Sequence, residues 1–214
     1  MPDLQTLFLF VGASVVLLVT PGPAIFYIVA RSIDQGRKAG LVSVAGINVG
    51  TLVHIAVTAA GFSAIVASSL WVLTAVKFLG AAYLVYLGIS KLLAKEEART
   101  EEHVPPEPYK KVFLNGVVVN VLNPKTALFI FAFIPQFVAP ERGPVAAQII
   151  FWGLTYIATA LCVDSMYALA GGTVGQKLQK NPRAVRLIGK ISGIVYVSLG
   201  LLLATSNIRV NRIR

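Results

Sequence analysis

The chain has 214 residues, of which 56% are hydrophobic and only 13% charged, with a mean hydropathy of +0.76. A soluble domain carries about a quarter charged residues, so this composition excludes an ordinary water-soluble fold. The net charge of +10 is gathered in short connectors rather than spread as a nucleic-acid-binding face, and no nucleic-acid partner is expected.

In chain order, apolar runs long enough to cross a bilayer lie at about 4–30, 40–66, 70–93, 112–138, 145–170 and 187–206. The first has Asp3 and no Lys or Arg before it and is too long for a signal-peptide core, so it is read as a retained membrane helix. Inside it, Thr20-Pro21-Gly22-Pro23 breaks the helix, because proline removes a backbone donor and clashes with the preceding turn. In lipid such a break survives only where protein or a cavity covers it. Thr20 is expected to cap a new half-helix with Pro21 as its first residue.

The second run carries Asn48 between Gly46 and Gly50, a small-xxx-small pair suited to close helix packing. It also holds His54, a titratable group at mid-depth that is a proton-coupling candidate or a structural hydrogen-bonder. The third run holds Lys77-x-x-Gly80-x-x-Tyr83, where Lys77 is expected to snorkel outward. Residues 94–111 form a charged linker closing with Pro105, Pro106 and Pro108, read as a solvated connector without a site.

The fourth run is broken at Asn123-Pro124-Lys125. Asn123 is expected to be the N-cap, with Pro124 at the first helical position and Lys125 as a costly intramembrane charge placed to meet a carboxylate. Asp164, in the fifth run, is the acidic residue placed within a span. It would accept a substrate ammonium or carry a coupling proton. The sixth run repeats the third as Lys190-x-x-Gly193-x-x-Tyr196, and Gly189 with Gly193 offers a surface for bundle or homodimer packing.

The two breaks are 103 residues apart and the two Lys/Gly/Tyr patterns 113 apart. With three spans per half, the halves face opposite ways. The expected fold is an all-α membrane protein of six transmembrane helices, built as two inverted three-helix repeats with helices 1 and 4 broken. Residues 1–93 form the first repeat and 112–214 the second. The half-helix N-termini would then face one another at the midplane and attract an anion, with the carboxylate leaning toward helix 4 and Lys125. With the N-terminus outside, thirteen Lys and Arg fall on inner connectors and four outside, as the positive-inside rule requires for an N-out, C-out chain. The three-arginine tail (Arg209, Arg212, Arg214) is the dissent.

Cys162 is the single cysteine, which excludes a disulfide framework and paired-thiol chemistry. No phosphate-cradling, metalloprotease or nucleophile-elbow motif occurs. No enzyme activity, cofactor or metal is expected.

Taken together, Pro21-Gly22-Pro23, Gly40, Gly46, Lys77-x-x-Gly80-Ala81-Ala82-Tyr83-Leu84 with Gly88, Asn123-Pro124-Lys125, Phe129 and Pro135-Gln136-Phe137 resemble the LysE/RhtB amino-acid exporters over nearly the whole chain. That family often has Asn after the Pro-Gly-Pro, where this chain has Ala24. The surroundings of His54 and Asp164 resemble the homoserine/threonine branch. The resemblance implies proton-driven efflux of a neutral or hydroxylated amino acid across a bacterial cytoplasmic membrane. Export of basic amino acids, or a divalent-metal-ion permease, are the alternatives. The substrate-binding set is then Thr20, Pro21, Gly22, Pro23, Asn123, Pro124, Lys125 and Asp164, with Asp164 and His54 as proton-coupling candidates.

Overall fold

The computed structural model describes residues 3–68 and 106–171 continuously, with parts of 78–93 and 187–205. Among the described residues all regular structure is helical. Helix α1 spans Leu4–Val19, α2 Pro23–Gln35, α3 Arg37–Ser68, α4 Tyr109–Val121, α5 Pro124–Leu128 and α6 Val145–Ala170. Between α5 and α6 the chain continues through a π turn (Phe129–Phe133) and two 3-10 turns (Ile134–Phe137 and Pro140–Arg142). The described residues of 78–93 and 187–205 are also helical.

Arg37–Gly61 and Val145–Ala170 are each long and apolar enough to cross a membrane. Leu4–Val19 with Pro23–Gln35, and Tyr109–Val121 with Pro124–Phe137, pass the same test as pairs bent by 57° and 52°. The two breaks expected from sequence are therefore sharp bends. Lys77, Gly80, Tyr83, Gly189, Tyr196 and the arginine tail lie outside the described residues.

The first break differs in detail from its expected form. Thr20 ends α1 instead of starting α2. Its N–H donates to Val16 and Leu17 carbonyls, and its hydroxyl donates to Val16 O at 2.7 Å. The cause is Pro21, whose ring drives the preceding residue out of the helical region. Thr20 is accordingly extended (φ −66°, ψ 124°). Gly22 is extended too, and the second proline, Pro23, takes the first helical position of α2. With one proline, the second break keeps the expected form, with Asn123 as N-cap and Pro124 at the first position of α5.

Helix α3 is central, packed along α4 and α6 and against α2. Its approach to α4 is backbone to backbone. A Cβ on Gly46 would collide with Phe113 O, and one on Gly50 would lie 2.8 Å from Val117 O. This is the close packing read from the Gly46/Gly50 pair. Gly46→Leu is expected to part α3 from α4 and destabilise the fold by about 1–3 kcal/mol or more, read as a lowered thermal midpoint in detergent. Gly88 and Gly193 meet in the same way, each backbone oxygen lying 2.6–2.8 Å from the Cβ position of the other. Gly193 is thus spent on contact within the chain.

Two apolar cores sit at either end of the bundle. The larger is aromatic, with Phe10, Phe129, Phe133, Trp152 and Tyr156 all buried. Phe10 lies 4.7 Å from Trp152 and 5.1 Å from Phe137, ring centre to ring centre. The smaller is Ile28, Val44, Ile47 and Ala168. Between them lies a buried polar belt that includes Thr20, Thr51, Asn120, Asn123, Thr126 and Asp164.

Candidate functional site

The polar belt surrounds a small, partly open cavity. Leu18 closes one wall from the end of α1, Ala24 and Ile25 come from the first turn of α2, and Ile47 and Thr51 from α3. Asn120, Asn123, Lys125 and Thr126 come from the second break, and Tyr156, Ala160 and Asp164 from α6. The two bends, far apart in sequence, thus open onto one space.

Lys125 joins them physically. Its Nζ donates to Thr20 O at 2.7 Å, and its side chain lies 3.4–3.5 Å from where a Cβ on Gly22 would sit. A Cβ at position 22 would thus meet the lysine in ordinary van der Waals contact. The ammonium, carried by the second break, therefore stands beside the first. The α2 N-terminus has no side-chain cap, and Ala24 and Ile25 at that end line the cavity. At α5, by contrast, Asn123 Oδ1 already accepts from Lys125 N at 3.1 Å. The uncapped donors and the ammonium thus both lie at α2.

Asp164 is 2% exposed and accepts no hydrogen bond among the described residues. Such a carboxylate is costly unless a cation or donor meets it, and the Lys125 charge acts on it across the cavity. His54 does not line this space. Its Nε2 donates to Asn120 O at 3.0 Å, and its ring sits edge-on to Phe131. That is the geometry of the structural hydrogen-bonder weighed in the sequence.

Asn120 escaped the sequence reading. It is 1% exposed, and its Nδ2 donates to Ile47 O and to Thr51 Oγ1, both at 2.8 Å. Its Oδ1 accepts from Thr126 Oγ1 at 3.0 Å and Asn123 Nδ2 at 3.4 Å. The available signal was spacing: Asn120 and Asn123 are three residues apart in an otherwise apolar run, and so on one face. Asn120→Ala is expected to cost about 1–3 kcal/mol, the penalty for orphaned buried partners, seen as a lower thermal midpoint.

The linker also departs from expectation, since its end is anchored. The Arg31 guanidinium donates to Glu107 Oε2 at 2.6 Å, and Lys111 pairs with Oε1 at 2.8 Å. Gln35 holds the Glu107 backbone from both sides, accepting from its N–H at 3.0 Å and donating to its carbonyl. Arg31 is 4% exposed. A buried guanidinium needs a carboxylate, and the sequence partner lies 76 residues away. The Lys111 hydrogen bond, with the Arg31 and Lys111 charges and the Asn115 amide, holds the Glu107 carboxyl below the usual carboxylate range. A carboxylate so lowered contributes fully above its unfolded value of 4.5 and loses its contribution as pH falls through the lower folded value. Between pH 5 and 8, Glu107→Gln is therefore expected to lower the thermal midpoint by a constant amount, with the gap from the parent closing only in stronger acid.

The model of the LysE-type translocators matches residues 15–207. The chain belongs to the LysE family of translocators. This translocator is 29% identical over 202 residues to the homoserine/homoserine lactone efflux protein of Salmonella typhimurium, covering 93% of this chain and 96% of that protein. It is 28% identical over 209 residues to an uncharacterized membrane protein of Bacillus subtilis (92% and 98%). It is also 28% identical over 206 residues to an uncharacterized membrane protein of Vibrio cholerae (95% and 98%). No solved structure matches the chain.

Proposed function

We propose that this translocator exports amino acids, neutral or hydroxylated ones such as homoserine and threonine, across the bacterial cytoplasmic membrane in exchange for protons. The observation that carries the reading is the cavity itself. An ammonium beside an uncapped helix N-terminus and a carboxylate that accepts no hydrogen bond among the described residues share one space. A zwitterion supplies the complementary pair. Its carboxylate meets Lys125 and the α2 N–H groups beside Gly22 and Pro23, and its ammonium meets Asp164. Thr20, Pro21, Asn123 and Pro124 shape the two bends that present these groups.

The space is tight, which favours a short side chain. The efflux relatives of homoserine and its lactone support the same substrate class. Asp164 is the group placed to take a proton when the ammonium leaves. In this reading the chain has six spans in two inverted halves, with both termini outside, and the bends open alternately to either face.

The test is efflux from proteoliposomes preloaded with homoserine, threonine, leucine or lysine, with and without an imposed pH gradient. Efflux of homoserine or threonine accelerated by the gradient is expected. Equal rates in protein-free vesicles for all four, or lysine alone moving, would sink the reading.

A further inference from the structure

The two ends of the cavity are flanked by different materials. Toward the Phe10 end, past Leu18 and Tyr156, lies the aromatic core of Phe10, Phe129, Phe133 and Trp152. The other end is flanked by α2 and α4. Helix α2 leaves the cavity at Ala24 and ends at Gln35, while α4 starts at Tyr109 and reaches the cavity at Asn120. At roughly 1.5 Å per residue, Arg31 stands about 10 Å along α2 from Ala24. On this side the helices are joined by Tyr27 donating to Val112 O at 2.7 Å, and farther along by the Glu107 clasp.

We propose that the Arg31–Glu107 pair, braced by Gln35, is the inner gate of the translocator: a polar latch between the two halves whose release opens the cavity to the side bearing Arg31. The inference rests on the transport reading. Three features set this end apart as the one that yields. Glu107 is tied to α4 by Lys111 and Asn115 while Arg31 belongs to the first half, so movement of α2 away from α4 must break one set of these bonds. Every bond in the clasp is polar, and water replaces such bonds readily, whereas nothing in water replaces the interlocked rings at the other end. Finally, among the described residues, two buried polar atoms on the helices near this end have no hydrogen-bond partner, Ser32 Oγ of α2 and Asn48 Oδ1 of α3. Ser32 follows Arg31 and fills a niche left by Gly40 and Gly171, while Asn48 follows the cavity-lining Ile47. Orphaned polar atoms are rare in settled interiors. Here they become hydrated when the latch opens.

Accessibility of a cysteine in the cavity tests this without any substrate. In a Cys162→Ser background, Ala160→Cys is labelled with a membrane-impermeant maleimide in right-side-out and inside-out vesicles. Glu107→Ala, which loses a charge-assisted bond, and, separately, Gln35→Ala, which loses two neutral bonds to the Glu107 backbone, are each expected to raise labelling from the inner face roughly tenfold. Labelling from the outer face should not rise. Phe133→Ala is expected to do the reverse. Unchanged labelling in both latch variants, or an equal rise from both faces, overturns the proposal. If inner labelling rises while no amino acid is transported by the parent, the latch stands and the substrate reading falls.

Discussion

Lys125→Met is expected to reduce homoserine efflux about 10- to 100-fold, the loss of one charge-assisted contact to a substrate carboxylate. Methionine keeps most of the length and apolar bulk against Gly22, so the bend should survive. What disappears is the ammonium beside the α2 N-terminus and its bond to Thr20 O. Initial efflux rates at matched protein level, across substrate concentrations, measure the effect. Loss of a carboxylate contact made throughout binding raises the KM for export, whereas loss of one made only during the conformational change lowers the maximal rate. Lys125→Arg is not expected to rescue, because its planar, larger head does not reproduce the compact ammonium that donates to Thr20 O. Unimpaired efflux in the methionine variant would remove Lys125 from the binding site.

Asp164→Asn is the second large expectation. It should abolish gradient-driven efflux, at least about 100-fold, because the amide neither balances a substrate ammonium nor exchanges a proton. Gradient-independent exchange of internal for external homoserine separates these roles. Exchange that persists while net efflux stops assigns Asp164 to the proton, and loss of both assigns it to the ammonium as well. Lys125 and Asp164 face one buried space, so their substitutions should be non-additive. Lys125→Met alone removes the positive charge that acts on buried Asp164 across the cavity, which costs some stability. The double variant Lys125→Met/Asp164→Asn should therefore melt higher than Lys125→Met while remaining inactive.

Much of this site was legible because it is made of local exceptions. Proline in an apolar run, Asn before proline and a charge at mid-span are each visible in one stretch of chain, and Asn123, Pro124, Lys125 and Asp164 lie around the cavity or its bend. The α3–α4 contact was legible through Gly46 and Gly50 for the same reason. The missed parts depend on partners distant in sequence. Nothing near Lys125 says that its ammonium crosses to the other bend, and nothing near Glu107 says that Arg31 waits for it. Thr20 is a different kind of miss: two rules compete at one residue, capping preference and the constraint of a following proline. The steric rule wins because a second proline two residues later offers the helix another start. Asn120 was hidden by its role as a connector, since its four hydrogen-bond groups are used by α3 and by the second bend.

The glycine seam between α3 and α4 also bears on how the protein is made. Gly50 and Gly116 lie 66 residues apart in the chain. At synthesis rates of about 5–20 residues per second, α3 emerges roughly 3–13 s before the segment that fills its groove. During that interval its Gly46 and Gly50 face lies open to lipid, where a stray helix with a small-residue face could occupy it. Assembly of this protein thus contains a waiting period, and its first half is an unfinished product until α4 arrives. Two fragments divided within the linker and expressed together would extend that wait, and their yield of working protein would measure how well the open seam is guarded.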